Sequence, residues 1–273
     1  MFYEWLDKWF TLYKENKIAD ATQKTYLSYI KRIKEKIKNQ PIDKLQALQM
    51  QEFINGIVGY RTQKAFYDLL KDCLGKAELL KVLKHNPMPL VSPTSYKQDG
   101  GEALSIEQEN TLETALNGLQ NKELAAYYRF CKLSGGRRSE VLGLKWTDID
   151  FEKGTVHMPG TKNQTSDRII PLFDSLKAIV NGLSQHSEYL FNFKPDYVSK
   201  NFSKLLKGRH LHELRHTFAT RCLENEVGMK TLQMWLGHST YEQTANTYSH
   251  VLDAFNKKEA EKINNKPDNL PDN

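Results

Sequence analysis

Residues 146–172 read WTDIDFEKGTVHMPGTKNQTSDRIIPL, the one long stretch where apolar and polar residues alternate as they do in strands. The alternation predicts three short strands, at about 147–151, 154–158 and 167–171, with EKG as a hairpin turn. The remainder of the chain has helical spacing. We therefore expect a mainly α (α+β) fold, in which a helical N-terminal bundle precedes a larger, mostly helical domain with a small three-stranded antiparallel sheet.

The N-terminal bundle is expected to have four helices, at 3–13, 19–38, 47–57 and 62–84. The second helix has two faces. Its apolar face consists of Tyr26, Ile30, Ile33 and Ile37. Its basic face consists of Lys24, Lys31, Lys34 and Lys38. In the fourth helix the predicted apolar stripe consists of Phe66, Leu69, Leu70, Cys73, Ala77 and Leu80.

The segment PMPLVSPTSYKQDGG, rich in proline and glycine, predicts a linker after the bundle. The resulting boundaries are a first domain at 1–86, a linker at 87–103 and a second domain at 104–262. Ser105 and Gln108 have the spacing of a capping box, and helices are predicted at 106–117 and 121–133. Residues 263–273 are polar, and we expect a disordered tail.

The net charge of +6 lies in the first third of the chain. Residues 1–99 contain 17 Lys and Arg against 11 Asp and Glu, while residues 100–273 contain 22 of each. A basic module of this kind is compatible with nucleic-acid binding and equally with a solvated lysine surface.

No run of 18 apolar residues and no signal peptide is found, and the three cysteines form no CxxC pattern. The sequence thus predicts a cytoplasmic protein with free thiols and no membrane partner.

Five later strings contain residues suited to chemistry on a phosphodiester: SGGRRSEVLGL, GTKNQTSDRIIPL, HELRHTFAT, WLGHS and TANTYSHV. A tyrosine is a poor nucleophile at neutral pH, and phosphate oxygens repel it. Attack therefore needs cations for those oxygens and an acid for the leaving group. The strings supply such groups, and the candidate residues are Arg137, Lys162, His212, Arg215, His238 and Tyr248.

Two other functions share parts of this pattern. HELRH spells HExxH, the spacing that holds zinc between two histidines on a helix, but no persuasive third ligand follows. Residues 226–248 resemble a helix-turn-helix, which a DNA-binding regulator without catalysis could contain. A zinc peptidase and a regulator are therefore the alternatives, although a regulator has no need of Arg137, Lys162 and Arg215.

The five strings resemble the tyrosine recombinases, the lambda-type integrases, and the similarity extends from about Tyr3 to Val251. The string TANTYSHV is most similar to integrases of phages and conjugative elements of Gram-positive bacteria. The resemblance implies that Arg137 and Arg215 hold the phosphate with His212 and His238, that Lys162 is the general acid, and that Tyr248 is the nucleophile.

The resemblance also implies supporting roles and partners. Glu140 and His216 would orient the site, and Arg138 would contact the DNA backbone, as would the lysines of the second helix in a core-binding domain. Neither a metal nor another cofactor is implied. The implied partners are double-stranded attachment sites, three further copies of the chain in a tetramer, and an excisionase or a host DNA-bending protein.

Overall fold

The computed structural model describes residues 1–93, 101–160 and 166–247. The chain forms two compact units, Met1–Gln98 and Asp99–Asn273, and each is described by itself. No helix within the described ranges is long and apolar enough to cross a membrane.

The first unit is a helical bundle. Its four α-helices are α1 (Phe2–Tyr13), α2 (Asp20–Lys36), α3 (Ala47–Asn55) and α4 (Tyr60–Leu79). Two short 3-10 turns, Ile42–Lys44 and Met88–Leu90, accompany them. The four predicted helices are confirmed. The fourth is shorter than predicted, because the chain leaves the helix at Leu80 and Lys81 adopts a positive φ of 59°.

The core of the first unit forms where the apolar faces of α1, α2 and α4 meet. Trp9 and Phe66 are wholly buried, and the indole N–H of Trp5 donates to the carbonyl of Cys73 at 3.0 Å. The predicted stripe on α4 is buried up to Ala77, but the inclusion of Leu80 was wrong, since this residue is 52% exposed beyond the helix end. Met88 and Val91 pack into the same core, so the first residues of the predicted linker belong to this unit.

The second unit has eight α-helices within its described residues. They are α5 (Ile106–Gly118), α6 (Lys122–Ser134), α7 (Arg138–Leu142), α8 (Asp174–Asn181), α9 (Pro195–Leu205), α10 (Glu213–Glu224), α11 (Met229–Leu236) and α12 (Tyr241–Thr247). The capping box at the start of α5 is confirmed. Ser105 Oγ accepts the Gln108 amide, and Gln108 Oε1 accepts the Ser105 amide.

The three predicted strands form one antiparallel sheet in the order β1-β2-β3. They are β1 (Ile149–Asp150), β2 (Thr155–Met158) and β3 (Arg168–Pro171). Val156 pairs with both Ile149 and Ile170, and all three side chains are buried on one face. The first strand is shorter than predicted because Trp146–Asp148 form a 3-10 turn.

Helix α6 lies at the centre of the second unit. Tyr127, Tyr128 and Phe130 are wholly buried on it, and α6 packs against α8 and α10. Each such aromatic side chain contributes roughly 1.5–3 kcal/mol by its burial. This rigid packing fixes both ends of α6, and the end at Ser134 leads directly into the first candidate residue.

Candidate active site

The Arg137 turn depends on two glycines that follow α6. Gly135 has a positive φ of 63°, and a Cβ there would lie 2.4 Å from Phe218. At Gly136 a Cβ would lie 2.5 Å from the Val141 side chain. Any larger residue would therefore displace the turn. Arg137 follows in extended conformation and caps α7.

Glu140 anchors Arg137 from inside the protein. Its carboxylate is wholly buried and accepts hydrogen bonds from the Arg137 amide at 2.8 Å and from the Arg137 guanidinium at 2.6 Å. Burial alone would raise the pKa of Glu140, but the hydrogen bonds of Arg168 and Arg137 hold it below its ordinary value. Glu140 is thus a buried carboxylate that orients the side chain of Arg137, which is 30% exposed.

Arg215 links three parts of the second unit. It lies on α10 and is only 3% exposed. One guanidinium nitrogen donates to the Gly135 carbonyl at 2.9 Å, and the other donates to the Leu236 carbonyl at 2.6 Å. The residue therefore ties the turn before Arg137 to the end of α11.

His212 and His216 lie at the start of α10, where their rings meet edge to face with centroids 5.1 Å apart. His212 is the N-cap residue and is exposed, while His216 is half-buried in the first turn. Desolvation of its ring, together with His216, Arg215 and Arg137, lowers the pKa of His212 well below its ordinary value. Desolvation and Arg215 also lower the pKa of His216. Both imidazoles are therefore neutral at pH 7.

His238 emerges where α11 ends. Gly237, with a φ of 63°, stops the helix as predicted, and the His238 amide then donates to the Gln233 carbonyl. Its Nδ1 lies 2.9 Å from the hydroxyl of Thr244, which is wholly buried on α12. Burial and the charges of Arg215 and Arg137 lower the pKa of His238 to about 3. His238 and Thr244 together join α11 to α12.

Two of the six candidates lie outside the described residues. Lys162 falls between β2 and β3, and Tyr248 comes directly after Thr247, the last residue of α12. Described strands flank Lys162 on both sides, whereas Tyr248 follows the last described residue, and the roles of both stay predictions. Tyr241, the other tyrosine after His238 in the sequence, is exposed at the start of α12.

The predicted DNA-contacting cations differ in their surroundings. Arg138 is exposed and donates to the Ser199 hydroxyl at 2.8 Å. Lys34 pairs with Asp7 at 2.6 Å, so its charge is already compensated. Lys24, Lys31 and Lys38 are exposed, and within the described residues no carboxylate pairs with them. Contact with DNA stays a prediction for all five.

No role was predicted for Arg168 from the sequence, where it appeared only within the string GTKNQTSDRIIPL. It begins β3, is 8% exposed, and donates to the Glu140 carboxylate at 3.0 Å. The surrounding string GTKNQTSDRIIPL gives no sign of this contact, which joins residues 28 positions apart.

The HExxH spacing forms no recognisable metal centre. In residues 1–93, 101–160 and 166–247, no group of three His, Cys, Asp or Glu side chains is arranged to hold a metal ion. Glu213, the glutamate of the motif, is instead buried, with a carboxylate oxygen 3.5 Å from Arg209.

Two family models match the chain. The phage integrase family matches residues 103–254, and the N-terminal SAM-like domain of phage integrases matches residues 1–58. A tyrosine recombinase XerC-like protein of Caldanaerobacter subterraneus is 27% identical in an alignment 286 residues long, which covers 83% of this chain and 72% of the relative. Tyrosine recombinase XerA of Thermococcus kodakarensis is 34% identical over 47% of this chain, and the match spans only 51% of the relative.

Solved structures show the same fold. A lambda integrase dimer bound to a COC′ core site superposes with a TM-score of 0.76 at 18% identity, over 89% of this chain and 94% of that one. The Tn1549 transposon integrase in complex with a circular intermediate DNA gives a TM-score of 0.76 at 18% identity, over 96% of this chain and 98% of that one.

The fold is that of these DNA-bound integrases. The family model covers more than half of the chain, and the chain belongs to the phage integrase family. It is a tyrosine recombinase, and neither the zinc peptidase nor the regulator is favoured by these relatives.

Proposed function

We propose that the protein cleaves and rejoins DNA at specific sites through a 3′-phosphotyrosyl intermediate, and so integrates or excises a mobile element. The observation that carries the proposal is the electrostatic cluster of Arg137, Arg215, His212 and His238. These residues come from three distant segments, yet both arginines depress the pKa of both histidines. Glu140 pairs with Arg137 but leaves the charge of Arg215, so the cluster is suited to bind an anion.

Arg137 and Arg215 are the proposed phosphate clamp. Arg137 uses one guanidinium nitrogen for Glu140, and within the described residues its other nitrogens make no hydrogen bond. Arg215 is held rigidly by two backbone carbonyls. Donors fixed in this way before the reaction stabilise negative charge that develops on the non-bridging oxygens.

The neutral histidines complete the donor set. When Nδ1 of His238 accepts a hydrogen bond from the Thr244 hydroxyl, the ring hydrogen lies on Nε2, which can donate to the phosphate. His212, also neutral at pH 7, can accept the proton that Tyr248 loses. His216 supports the ring of His212 by edge-to-face contact.

In the proposed cleavage, one bond to phosphorus forms as another breaks. The Tyr248 oxygen forms a bond to phosphorus, and the bond from phosphorus to the 5′ oxygen breaks. Lys162 gives its proton to that oxygen. A 5′ hydroxyl of another strand then attacks the phosphotyrosine and reverses the step. The intermediate conserves the energy of the phosphodiester, so the cycle needs no nucleotide hydrolysis and proceeds without a metal.

The remaining roles follow the family pattern. We assign the first unit, with its core residues up to Val91, to a core-binding domain, the following residues up to 103 to a linker, and residues 104–262 to a catalytic domain. The exposed lysines Lys24, Lys31 and Lys38 would face the duplex. Four protomers on two attachment sites form the proposed synapse, with an excisionase or a host DNA-bending protein as accessory partners. A lambda integrase tetramer bound to a Holliday junction, with a TM-score of 0.77, supports this assembly.

Covalent trapping tests the proposal. Labelled duplexes from the ends of the parent element would be nicked beside the expected cut, so that a short fragment leaves and religation fails. With EDTA present, wild type and Tyr241→Phe should give a slow, protease-sensitive band on a denaturing gel, and Tyr248→Phe should give none. A protein that shifts the duplex on a native gel but never links to it would contradict the proposal.

A further inference from the structure

Arg168 is a buried arginine whose three guanidinium nitrogens each donate to an acceptor, two of them on separate helices. Its Nη2 donates to Glu140 on α7 at 3.0 Å, and its Nη1 donates to the Ser166 carbonyl at 2.9 Å. Its Nε donates to the Trp235 carbonyl on α11. A buried guanidinium is tolerated only when it is paired in this way, so the position is specialised for a charge.

Arg168 determines how much positive charge remains at Arg137. Arg137 and the wholly buried Glu140 alone would form a neutral pair with little attraction for a phosphate. Arg168 adds a second cation on the same carboxylate, so the three residues together carry one net positive charge. The side chain of Arg168 is 5% exposed and that of Arg137 is 30% exposed. The uncompensated charge therefore lies at Arg137, on the accessible side.

Arg168 also holds the end of α11, from which His238 emerges. The last carbonyls of a helix lack partners and form its negative end. At the end of α11, Arg168 binds the Trp235 carbonyl and Arg215 binds the next one, that of Leu236. The chain then turns at Gly237 into His238. Arg168 therefore also fixes the point from which His238 emerges.

We infer that Arg168 is a positioning residue of the strand-transfer site, which neutralises Glu140 so that Arg137 keeps its charge for the phosphate and which holds the end of α11 beneath His238. This inference rests on the proposed function. Arg168 itself makes no contact with the DNA in this account, because its donors are used inside the protein.

The first test measures the rate of covalent complex formation on the nicked duplex. Arg168→Met should lower the rate by about 100-fold, because Arg137 then forms a neutral pair with Glu140 and no longer acts as a charged donor to the phosphate. Adding Glu140→Gln to the same chain should recover about tenfold of that loss, because Arg137 is then no longer neutralised. A merely structural role predicts the opposite, since two lesions in one packed network should be worse than one.

The second test measures equilibrium binding to the same duplex, without a nick, in a Tyr248→Phe background. Arg168→Met should reduce the slope of log affinity against log salt by about one phosphate contact. Arg168→Lys keeps the charge and should keep the slope, while losing the Trp235 contact. Arg129→Gln removes a different arginine–glutamate pair, that with Glu113, and serves as the matched control with an unchanged slope.

A third variant keeps the inference testable if Arg168→Met does not fold. Glu140→Gln alone leaves both arginine charges uncompensated and should increase the salt slope by about one contact. Wild-type cleavage speed in Arg168→Met, or an unchanged slope in both Arg168→Met and Glu140→Gln, would overturn the inference. If wild type never forms a covalent complex, the proposed function fails, while the salt slopes still decide the role of Arg168.

Discussion

The two units of this protein both present positive charge, but they hold it in different ways. In the second unit Arg168 and Arg215 are at least nine-tenths buried, and each donates to acceptors on separate elements. In the first unit Lys24 and Lys31 are exposed on α2, and Lys38 is exposed just beyond its end. Charges fixed in a poorly solvated site act strongly on a reacting group, whereas exposed charges are screened by salt. Substitutions in the two units should therefore differ in both size and kind.

The largest expected effect is that of Arg215→Gln. It removes a charge that is held by the Gly135 and Leu236 carbonyls, and the rate of covalent complex formation should fall by about 1,000-fold. Single-turnover kinetics on the nicked duplex measure this, and a native gel confirms that the variant still binds. Arg129→Gln, on α6, should cleave at the wild-type rate. A loss of less than tenfold in Arg215→Gln would remove this residue from the phosphate clamp.

Gly136→Ala should perturb the Arg137 turn through sterics alone. The added methyl group would lie 2.5 Å from Val141 and 2.7 Å from Met158, and overpacking of this kind costs about 1–3 kcal/mol of unfolding free energy. Urea denaturation measures the change. Gly118→Ala is the matched control, because nothing lies within 4 Å of its added Cβ. Equal stability of the two variants would show that the turn has more room than the structure indicates.

The half-buried His238 should make stability depend on pH. The pKa of His238 is about 3 when folded and roughly 6.5 when unfolded, so below pH 6.5 the unfolded chain binds a proton that the folded chain excludes. The unfolding free energy should therefore fall between pH 7 and pH 4, and His238→Asn should flatten this decline. Denaturant titrations at several pH values measure it, with the exposed His186→Asn as control.

His157 should have the opposite effect on the pH dependence of stability. Burial would lower the pKa of His157, but hydrogen bonds to Asp167 and Asp148 raise it overall. It therefore stabilises the fold at low pH and loses this contribution as the pH rises through its folded pKa. His157→Asn should steepen the decline toward acid that His238→Asn flattens. Profiles that shift in the same direction for both variants would contradict these assignments.

The smallest effects are expected in the first unit. Lys24→Gln, Lys31→Gln and Lys38→Gln should each reduce the salt slope of DNA binding by about one contact and leave the cleavage rate of bound complexes unchanged. Lys34→Gln should change the slope less, because Asp7 already pairs with that lysine. If none of the four substitutions changes the slope, the predicted basic face does not meet DNA, and if Lys34→Gln has the largest effect, the pair with Asp7 does not compensate its charge.

The sequence predicted those features that depend on local spacing. Ile30 and Ile33 marked the buried face of α2, and the alternation around Val156 marked the sheet. The end of α4 was missed because the positive φ of Lys81 has no signal in a residue type that usually continues a helix.

Candidate residues could be proposed from the sequence, but their hydrogen-bond partners could not. Arg137, Arg215 and His238 could be named because each lies in a distinctive short string. The role of Arg168 could not, since its partners Glu140 and Trp235 lie 28 and 67 positions away. The pairing of Lys34 with Asp7 was hidden for the same reason, as it joins residues 27 positions apart on α2 and α1.

The most direct test of the account is to identify the tyrosine that becomes linked to DNA. Trapped complexes would be digested with protease and nuclease, and the modified peptide located by mass spectrometry. The account predicts a single adduct, a 3′-phosphate on Tyr248, formed in the presence of EDTA. An adduct on Tyr241 or a 5′-phosphate linkage would contradict the proposed chemistry, and so would a metal requirement for the link.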